Sequence, residues 1–319
     1  MIYLAEKMNT TVSIVVVNWN TGSMLRECCQ SIENADLSGI DLREVIVIDN
    51  ASTDGSATDL NFHTLPLQVN TNETNQGFGT ACNQGAARTT GEFILFLNPD
   101  MRLCVDTLSR TLSYMTSRSA NDVGICGVRL KSATTEFANS FSDFPSASGI
   151  FMGALGLRSK EPERMPESDA QLEATVDVDQ VIGAYFLMRS KLFHQLNGFD
   201  ERFFVYFEEV DLSLRAKQAG WRSVCLLGVT AFHFGGGSSQ NVKARRLFYV
   251  LRSRLLYAFK HFSWVGKIGV VLVTFFVEVF TRMVLAVSRR SWTGVLETWA
   301  AYEMLWRWLP QWVFKGVTR

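Results

Sequence analysis

Three short polar clusters follow three apolar runs in this 319-residue chain: Asn18 with Asn20, Asp49 with Asn50, and Asn98 with Asp100. The preceding runs are VSIVVV (12–17), EVIVI (44–48) and FILFL (93–97). Asn and Asp also shape turns and cap helices. Three such clusters at successive strand ends, however, describe the wall of a ligand site, because open α/β sheets bind ligands beyond the carboxyl ends of their strands. Further along, Glu208, Glu209 and Asp211 open a stretch of helical character, and His233 precedes a Gly-rich run. Acids in a first helical turn are also stabilised by the helix dipole. Asp211 and Arg215 lie four apart and are expected to pair. Glu208 shares a face with Asp211, whereas Glu209 points about 100° away at 3.6 residues per turn.

The elements that must position these residues can be read from periodicity. Val12–Val17, Glu44–Ile48 and Phe93–Leu97 are continuous β-branched or aromatic runs, the pattern of strands buried on both faces. Ser23–Ile32 reads as a helix, Leu67–Asn70 as a short strand, and Phe78–Thr89 as a helix of small residues that packs closely. Gly183–Arg189 returns to strand character, followed by a helix over Lys191–Leu196 stopped by Asn197-Gly198. Glu208–Ala219 is a helix closed by Gly220, and Ser223–Leu227 and Thr230–Phe234 are short strands. Residues 132–180 show no clear period and read as an inserted loop region, with the Ser140–Ser148 stretch and the charged run Ser159–Asp169. His233–Ser239 reads as a flexible loop. Alternating buried strands and helices argue for an α/β domain with a mainly parallel sheet.

Composition sets the outer bounds. With 47% hydrophobic and 19% charged residues, 6 Pro and 23 Gly, the chain is neither disordered nor low-complexity. Its net charge of zero hides an asymmetry. Residues 1–239 carry 18 Lys+Arg against 28 Asp+Glu, whereas residues 240–319 carry 13 against 3. Six of the eight Trp lie in that basic segment: Trp264, Trp292, Trp299, Trp306, Trp308 and Trp312. Lys/Arg with interfacial Trp is a membrane-surface pattern. Arg245–Phe262 is amphipathic, with Leu247, Leu251, Leu255 and Phe259 about four apart. Ile268–Val287 is long enough to span a bilayer core but contains Glu278 and Arg282. Each charge costs roughly 2.5–3.5 kcal/mol at a bilayer centre on insertion scales. Glu278 and Arg282 lie four apart and can pair on one helical face, so a helix lying in the interface, or packed as a hairpin against its neighbours, is expected in place of a plain span. The six cysteines, Cys28, Cys29, Cys82, Cys104, Cys126 and Cys225, form no C-x-x-C. Met1–Thr11 lacks the apolar run of a signal peptide, so the body is expected in the cytoplasm with reduced thiols.

The segments SIVVVNWN (13–20), VIVIDNASTDGS (45–56), NQGFGTACNQGA (75–86), FLNPDM (96–101), the stretch 183–221 and HFGGGSS (233–239) together resemble a family 2 glycosyltransferase of GT-A fold. The likeness is to members that transfer rhamnose or similar sugars in bacterial polysaccharide assembly. It covers most of residues 12–239, so the chain divides into a GT-A domain at 1–239 and a basic, Trp-rich helical tail at 240–319. The resemblance implies a nucleotide-sugar donor held by Asn18, Asn20, Asp49, Ser52, Asp54, Asn75, Gly77 and Asn98. Asp49 could accept from a pyrimidine N3–H, and the turn after Asn75-Gln76-Gly77 could face phosphate with helix N–H groups. Ser52 and Asp54 equally suit helix capping. Asn98-Pro99-Asp100 occupies the place of the family's D-x-D, with an amide where the first acid stands. The resemblance thus makes Asp100 a ligand of Mg²⁺ or Mn²⁺, with His233 a further ligand. The second acid of the family's E-D pair falls on Glu209, which becomes the general base, with Glu208 the alternative.

The resemblance further implies an inverting transferase on the cytoplasmic face of a bacterial inner membrane, peripheral or monotopic. Its donor would be dTDP-L-rhamnose or another UDP- or dTDP-sugar, and its acceptor a polyprenyl-diphosphate-linked saccharide of O-antigen or capsule assembly. Partners are then the donor, the acceptor and the membrane surface, with no nucleic acid, and an oligomer stays open. Two rival classes stand beside this. A non-catalytic nucleotide-sugar-binding scaffold would be expected to lack Asp100, Glu209 or His233. A nucleotidyltransferase would need a basic Gly-rich loop after the first strand, where this chain has the cation-free Asn18–Gly22. The absence there of G-x-G-x-x-G also counts against a dinucleotide dehydrogenase.

Overall fold

The computed structural model describes residues 9–132, 138–157, 174–235 and 242–318. The first half alternates strand and helix: β1 (Thr10–Asn18), α1 (Met24–Glu33), β2 (Ile40–Asp49), β3 (Leu67–Thr71), α2 (Phe78–Ala86), β4 (Phe93–Leu97), β5 (Met101–Leu103), α3 (Thr107–Met115) and β6 (Val123–Lys131). Then come β7 (Phe141–Ser142), α4 (Ala147–Ala154), β8 (Thr175–Val178), β9 (Gln180–Val181), β10 (Tyr185–Arg189), α5 (Ser190–Gln195), α6 (Glu208–Gln218) and β11 (Arg222–His233). The tail forms α7 (Lys243–His261), α8 (Trp264–Leu272), a π-helical turn (Val273–Glu278), α9 (Val279–Ser288) and α10 (Trp292–Lys315).

Nine strands make one sheet in the order β3-β2-β1-β4-β10-β6-β11-β5, with β8 also paired to β11. β3, β2, β1 and β4 are parallel, and β6 and β11 are parallel; β10 runs antiparallel between the two groups. The continuous apolar runs explain the burial of both faces. In β1, Val12, Ile14 and Val16 enter one core and Val15 and Val17 the other; β4 divides Phe93, Leu95 and Leu97 from Ile94 and Phe96 in the same way. Small residues let α2 lie close on the sheet, since a Cβ at Gly85 would strike Val15.

Three expectations change. The two short strands expected near 223–234 are one strand, β11, with an irregularity between Leu226 and Thr230. It carries His233 at its end, so that residue sits on the sheet and not in a loop. The 132–180 region is not structureless, since it holds α4 and three short strands, β7 to β9. The runs at 159–169 and 236–239 lie outside the described residues.

A third core joins tail to body. Leu251, Leu255 and Ala258 of α7 pack with Phe203 and Val210 on one side and with Ala301, Tyr302 and Leu305 of α10 on the other. Arg254 of α7 pairs with Glu278, which also pairs with Arg282 at 2.7 Å; Glu278 is buried. The acid within the most apolar helix therefore faces protein. The opposite face is bare: Ile268, Leu272, Phe276, Phe280 and Val284 recur every four residues and are all exposed, as are Trp264, Trp292, Trp299 and Trp306. Trp264–Ser288 is the one helix among the described residues long and apolar enough to cross a membrane by length and composition.

Removing one partner of a buried pair strands the other without compensation, at about 3–5 kcal/mol. Glu278→Ala is accordingly expected to lower the stability of the tail by that order, read as a shifted urea midpoint of tail Trp fluorescence. A midpoint like the wild type's would mean that the pair contributes nothing net.

Candidate active site

The ends of β1 and β2 are tied together by their own polar side chains. Asn18 Nδ2 donates to Asp49 Oδ1 at 2.8 Å, to Ser56 Oγ at 2.8 Å and to Ser52 Oγ at 3.1 Å. Ser52 closes the group by donating from Oγ to Asp49 Oδ1 and from its backbone N–H to Oδ2 at 3.2 Å. Asn20 accepts from the Thr53 N–H at 2.8 Å, and Asp54 accepts from the Gly22 and Ser56 N–H groups at 2.8 and 2.9 Å. Asn18 and Asp49 are buried. These residues fasten the two loops after β1 and β2 into one unit, as Asx-type side chains do. Asp49 Oδ2, with a single donor, keeps room for another.

Beyond these strand ends lies a cavity of about 440 Å³. Among the sequence-predicted residues it is lined by Asn75, Gly77, Asn98, Asp100 and His233; Asn18, Asn20, Asp49, Ser52 and Asp54 stand outside the lining and support it. Asn75 Oδ1 accepts from the Gly77 N–H at 2.9 Å, and Asn50 Nδ2 donates to the Gly77 carbonyl at 3.1 Å. Gly77 has φ +85°, and a Cβ there would strike the Phe204 carbonyl. Both facts demand glycine.

Asp100 and His233 are neighbours across the β5–β11 ladder. Asp100 Oδ2 is 3.4 Å from His233 Nε2, and the Phe234 N–H donates to the Asp100 carbonyl at 3.0 Å. One carboxylate and one imidazole side by side at a cavity wall suit a divalent cation whose other ligands come from a bound diphosphate and water. No cluster of three or more metal-binding side chains occurs among the described residues.

The acids of α6 follow a strained turn. Tyr206 and Phe207 both hold left-handed φ, 68° and 72°, a conformation bulky residues avoid. Glu208 is buried towards Gly79 of α2, and its Oε2 has no hydrogen-bond partner. Burial, together with the neighbouring Glu209 charge, pushes the Glu208 carboxyl well above the usual glutamate range. Glu209, half-buried, packs on Gly183, beside Ala184, whose carbonyl accepts from the Asn98 N–H at 3.0 Å. Burial raises its pKa as well. Neither acid is among the cavity-lining residues; Phe204, Val205 and Tyr206, just before them, are. Asp211 pairs with Arg215 at 2.7 Å as expected, and also with Lys260 at 2.6 Å and His261 at 2.7 Å of α7. Burial would raise its pKa, but the His261 hydrogen bond and the Arg215 and Lys260 charges outweigh it and hold it low.

Sequence reading missed part of the wall. Trp19 and, from the tail, Arg245, Arg246 and Tyr249 line the same cavity. The Phe204 and Tyr249 rings stack at 4.9 Å, and Arg252 packs 5.0 Å from the Tyr249 ring. The signal was there in the Arg245-Arg246 pair near the start of the tail, but it merges with the tail's general basic charge.

Fold and site together are those of a sugar-nucleotide transferase. The family model for Glycosyl transferase family 2 matches residues 13–196, and the chain belongs to that family. It is 30% identical over 168 residues to rhamnosyltransferase WbbL of Escherichia coli (strain K12), covering 52% of this chain and 61% of that one. It is 26% identical over 277 residues to N-acetylglucosaminyl-diphospho-decaprenol L-rhamnosyltransferase of Mycobacterium tuberculosis, covering 81% and 87%. A crystal structure of GalNAc-T7 with UDP, GalNAc and Mn²⁺ superposes with a TM-score of 0.55 at 15% identity, over 80% of this chain and 51% of that one. That likeness establishes the GT-A fold.

Since the folded-state pKa of Glu208 is raised, its burial opposes folding above the ordinary glutamate range, and the penalty grows until pH passes the folded value. Glu208→Gln removes this penalty. The variant and wild type are expected to melt alike at pH 4, with the variant melting higher at pH 8. A difference independent of pH would rule out a neutral Glu208.

Proposed function

We propose that the protein is an inverting glycosyltransferase that moves L-rhamnose from dTDP-L-rhamnose onto a polyprenyl-diphosphate-linked saccharide in bacterial cell-surface polysaccharide assembly. The observation that carries this reading is one cavity beyond the strand ends. It joins the Asp100–His233 pair to the turn that bears Glu208 and Glu209. The similarity to two rhamnosyltransferases, one named for a decaprenol-diphosphate acceptor, supports the choice of sugar and acceptor.

The donor nucleoside lies at the β1 and β2 ends, where Asp49 accepts from the base and Asn75 and Asn98 contact ribose or phosphate. Asp100 and His233 would hold Mg²⁺ or Mn²⁺, which would neutralise the charge of the leaving diphosphate. The acceptor hydroxyl approaches the anomeric carbon from the side opposite that diphosphate. Glu209 takes the hydroxyl proton, the new C–O bond forms, and the bond to the diphosphate oxygen breaks, so the configuration inverts. Glu209 suits this role because a raised pKa brings a carboxylate closer to the strength of base that proton transfer at neutral pH requires. Burial of its neighbour Glu208, together with the Glu209 charge, likewise disfavours the charged form there.

The surface of the tail supports a membrane location for this chemistry. The exposed apolar stripe on α8 and α9, with Trp292, Trp299 and Trp306 also exposed on α10, is the kind of apolar surface that marks an interaction site. Lys267, Arg289, Arg290 and Arg307 accompany it, as expected of a helix pair lying at the headgroups on the cytoplasmic face of the inner membrane.

Supplied with UDP-, dTDP- and GDP-sugars and a synthetic lipid-diphosphate GlcNAc, the protein is expected to add a deoxyhexose from dTDP-rhamnose, seen by mass spectrometry. Transfer from another donor would replace the sugar alone. Nucleotide binding without transfer from any donor would favour the scaffold reading. Glu209→Gln is expected to cut turnover by about 10²–10⁴-fold while nucleotide still binds. The wild-type rate should fall as acid protonates Glu209, at a pH above the ordinary glutamate range. Unchanged turnover would move the base to Glu208.

Phe276→Ser with Phe280→Ser is expected to abolish co-sedimentation with anionic vesicles and leave the fold intact. Undiminished binding would refute the surface. Deleting 243–319 is a poorer test, because it also strips Arg245, Arg246 and the third core from the body.

A further inference from the structure

Four ionisable side chains line the cavity: Asp100, His233, Arg245 and Arg246. Asp100 and His233 face each other. Arg245 and Arg246 are exposed and have no carboxylate partner among the described residues. Two guanidinium groups that pair with no carboxylate among the described residues, at a cavity wall, suit an anion, and their fork of donors suits phosphate oxygens. Their position bears on which anion. Arg246 hydrogen-bonds the Tyr206 hydroxyl, and Tyr206 lies three residues before Glu209. Arg246 is thus fastened to the turn that leads into α6 and Glu209, and both arginines line the cavity wall that this turn helps to form.

The direction of the charge also fits. Lys243, two residues earlier, lines a second cavity of about 320 Å³ with Arg282 of α9, Arg289 just after it, and Glu297 of α10. Cations therefore continue from the active site towards the helix that carries the bare apolar stripe. The wall behind the arginines is stiff: Phe204 stacks on Tyr249, and the buried Arg252 packs among Phe204, Phe248 and Tyr249 at 5.6, 5.2 and 5.0 Å.

We infer that Arg245 and Arg246 form the subsite for the diphosphate of a lipid-linked acceptor, so that α7 is part of the active site as well as part of the anchor. This rests on the reading of the acceptor given above. The arginines act by binding and orienting: they hold the diphosphate so that the attached sugar's hydroxyl reaches Glu209.

The test uses the full chain in detergent, with Arg245→Ala/Arg246→Ala and the double Lys variant. With the donor site filled by excess dTDP and Mg²⁺, the wild type is titrated with geranylgeranyl diphosphate and with geranylgeraniol, read by Trp fluorescence. Loss of two charge-assisted contacts is expected to weaken diphosphate binding about tenfold or more, leave geranylgeraniol unaffected, and be partly rescued by Lys. In transfer assays the acceptor KM should rise by the same factor at an unchanged donor KM. Equal diphosphate affinity in wild type and double Ala variant, or a rise in donor KM alone, would overturn the inference. A wild type that binds the lipid diphosphate through these arginines yet transfers no sugar would sustain the subsite and refute the proposed reaction.

Discussion

The turn at Tyr206-Phe207 sets the site, and it does not stand by itself. Two consecutive bulky residues in the left-handed region cost on the order of 1–2 kcal/mol each and persist only where surroundings over-determine them. Here they do. The Phe78 N–H donates to the Phe204 carbonyl at 2.6 Å, Ser253 Oγ of α7 donates to the Val205 carbonyl at 2.9 Å, and the Phe207 ring lies 5.5 Å from Tyr257 of α7. Below the turn, Lys260 and His261 of α7 grip Asp211. The carboxylates of α6 are thus aimed by α2 on one side and by the tail on the other.

This is why the catalytic body and the tail cannot be treated as independent. The sequence divides sharply near 240 in charge and in Trp content, and that division is real as composition. It says nothing about packing. The residues that join the parts, Phe203, Val210, Leu251 and Leu255, are ordinary apolar residues on both sides of the boundary. Arg245 and Arg246 are lost among thirteen tail cations for the same reason. Which cation faces a cavity depends on how a helix is rolled against its neighbour, and that is decided by a core distant in sequence.

What was legible had local causes. Runs such as VSIVVV need two covering layers and so gave the strands, and with them the polar strand ends. The pairings Asp211–Arg215 and Glu278–Arg282 followed from helical spacing and are present. The roles within the strand-end cluster were not separable in this way. Asn18, Asp49 and Ser52 were read as donor contacts and are seen spending most of their hydrogen bonds on one another. The two roles are compatible, since a wall that must not move when ligand binds is best fixed before it arrives. His233 was read both as part of the strand Thr230–Phe234, which holds, and as the start of a loop, which does not; its ladder to β5 depends on a strand pairing that no local pattern announces.

The buried Glu278 links these observations to the membrane. In an isolated 25-residue apolar helix a glutamate would oppose burial in lipid. Paired with Arg254 of α7, it orients the helix: the acid side must face the body, and the side bearing Ile268, Leu272, Phe276 and Phe280 must face away. The same α7 carries Arg245 and Arg246 into the cavity two to three turns earlier. One helix therefore fixes both the direction of the apolar face and the position of the cavity wall. An active site built this way would keep a constant orientation to any surface on which the tail rested. A freely hinged anchor would not provide that, and the lipid-linked acceptor proposed above would require it.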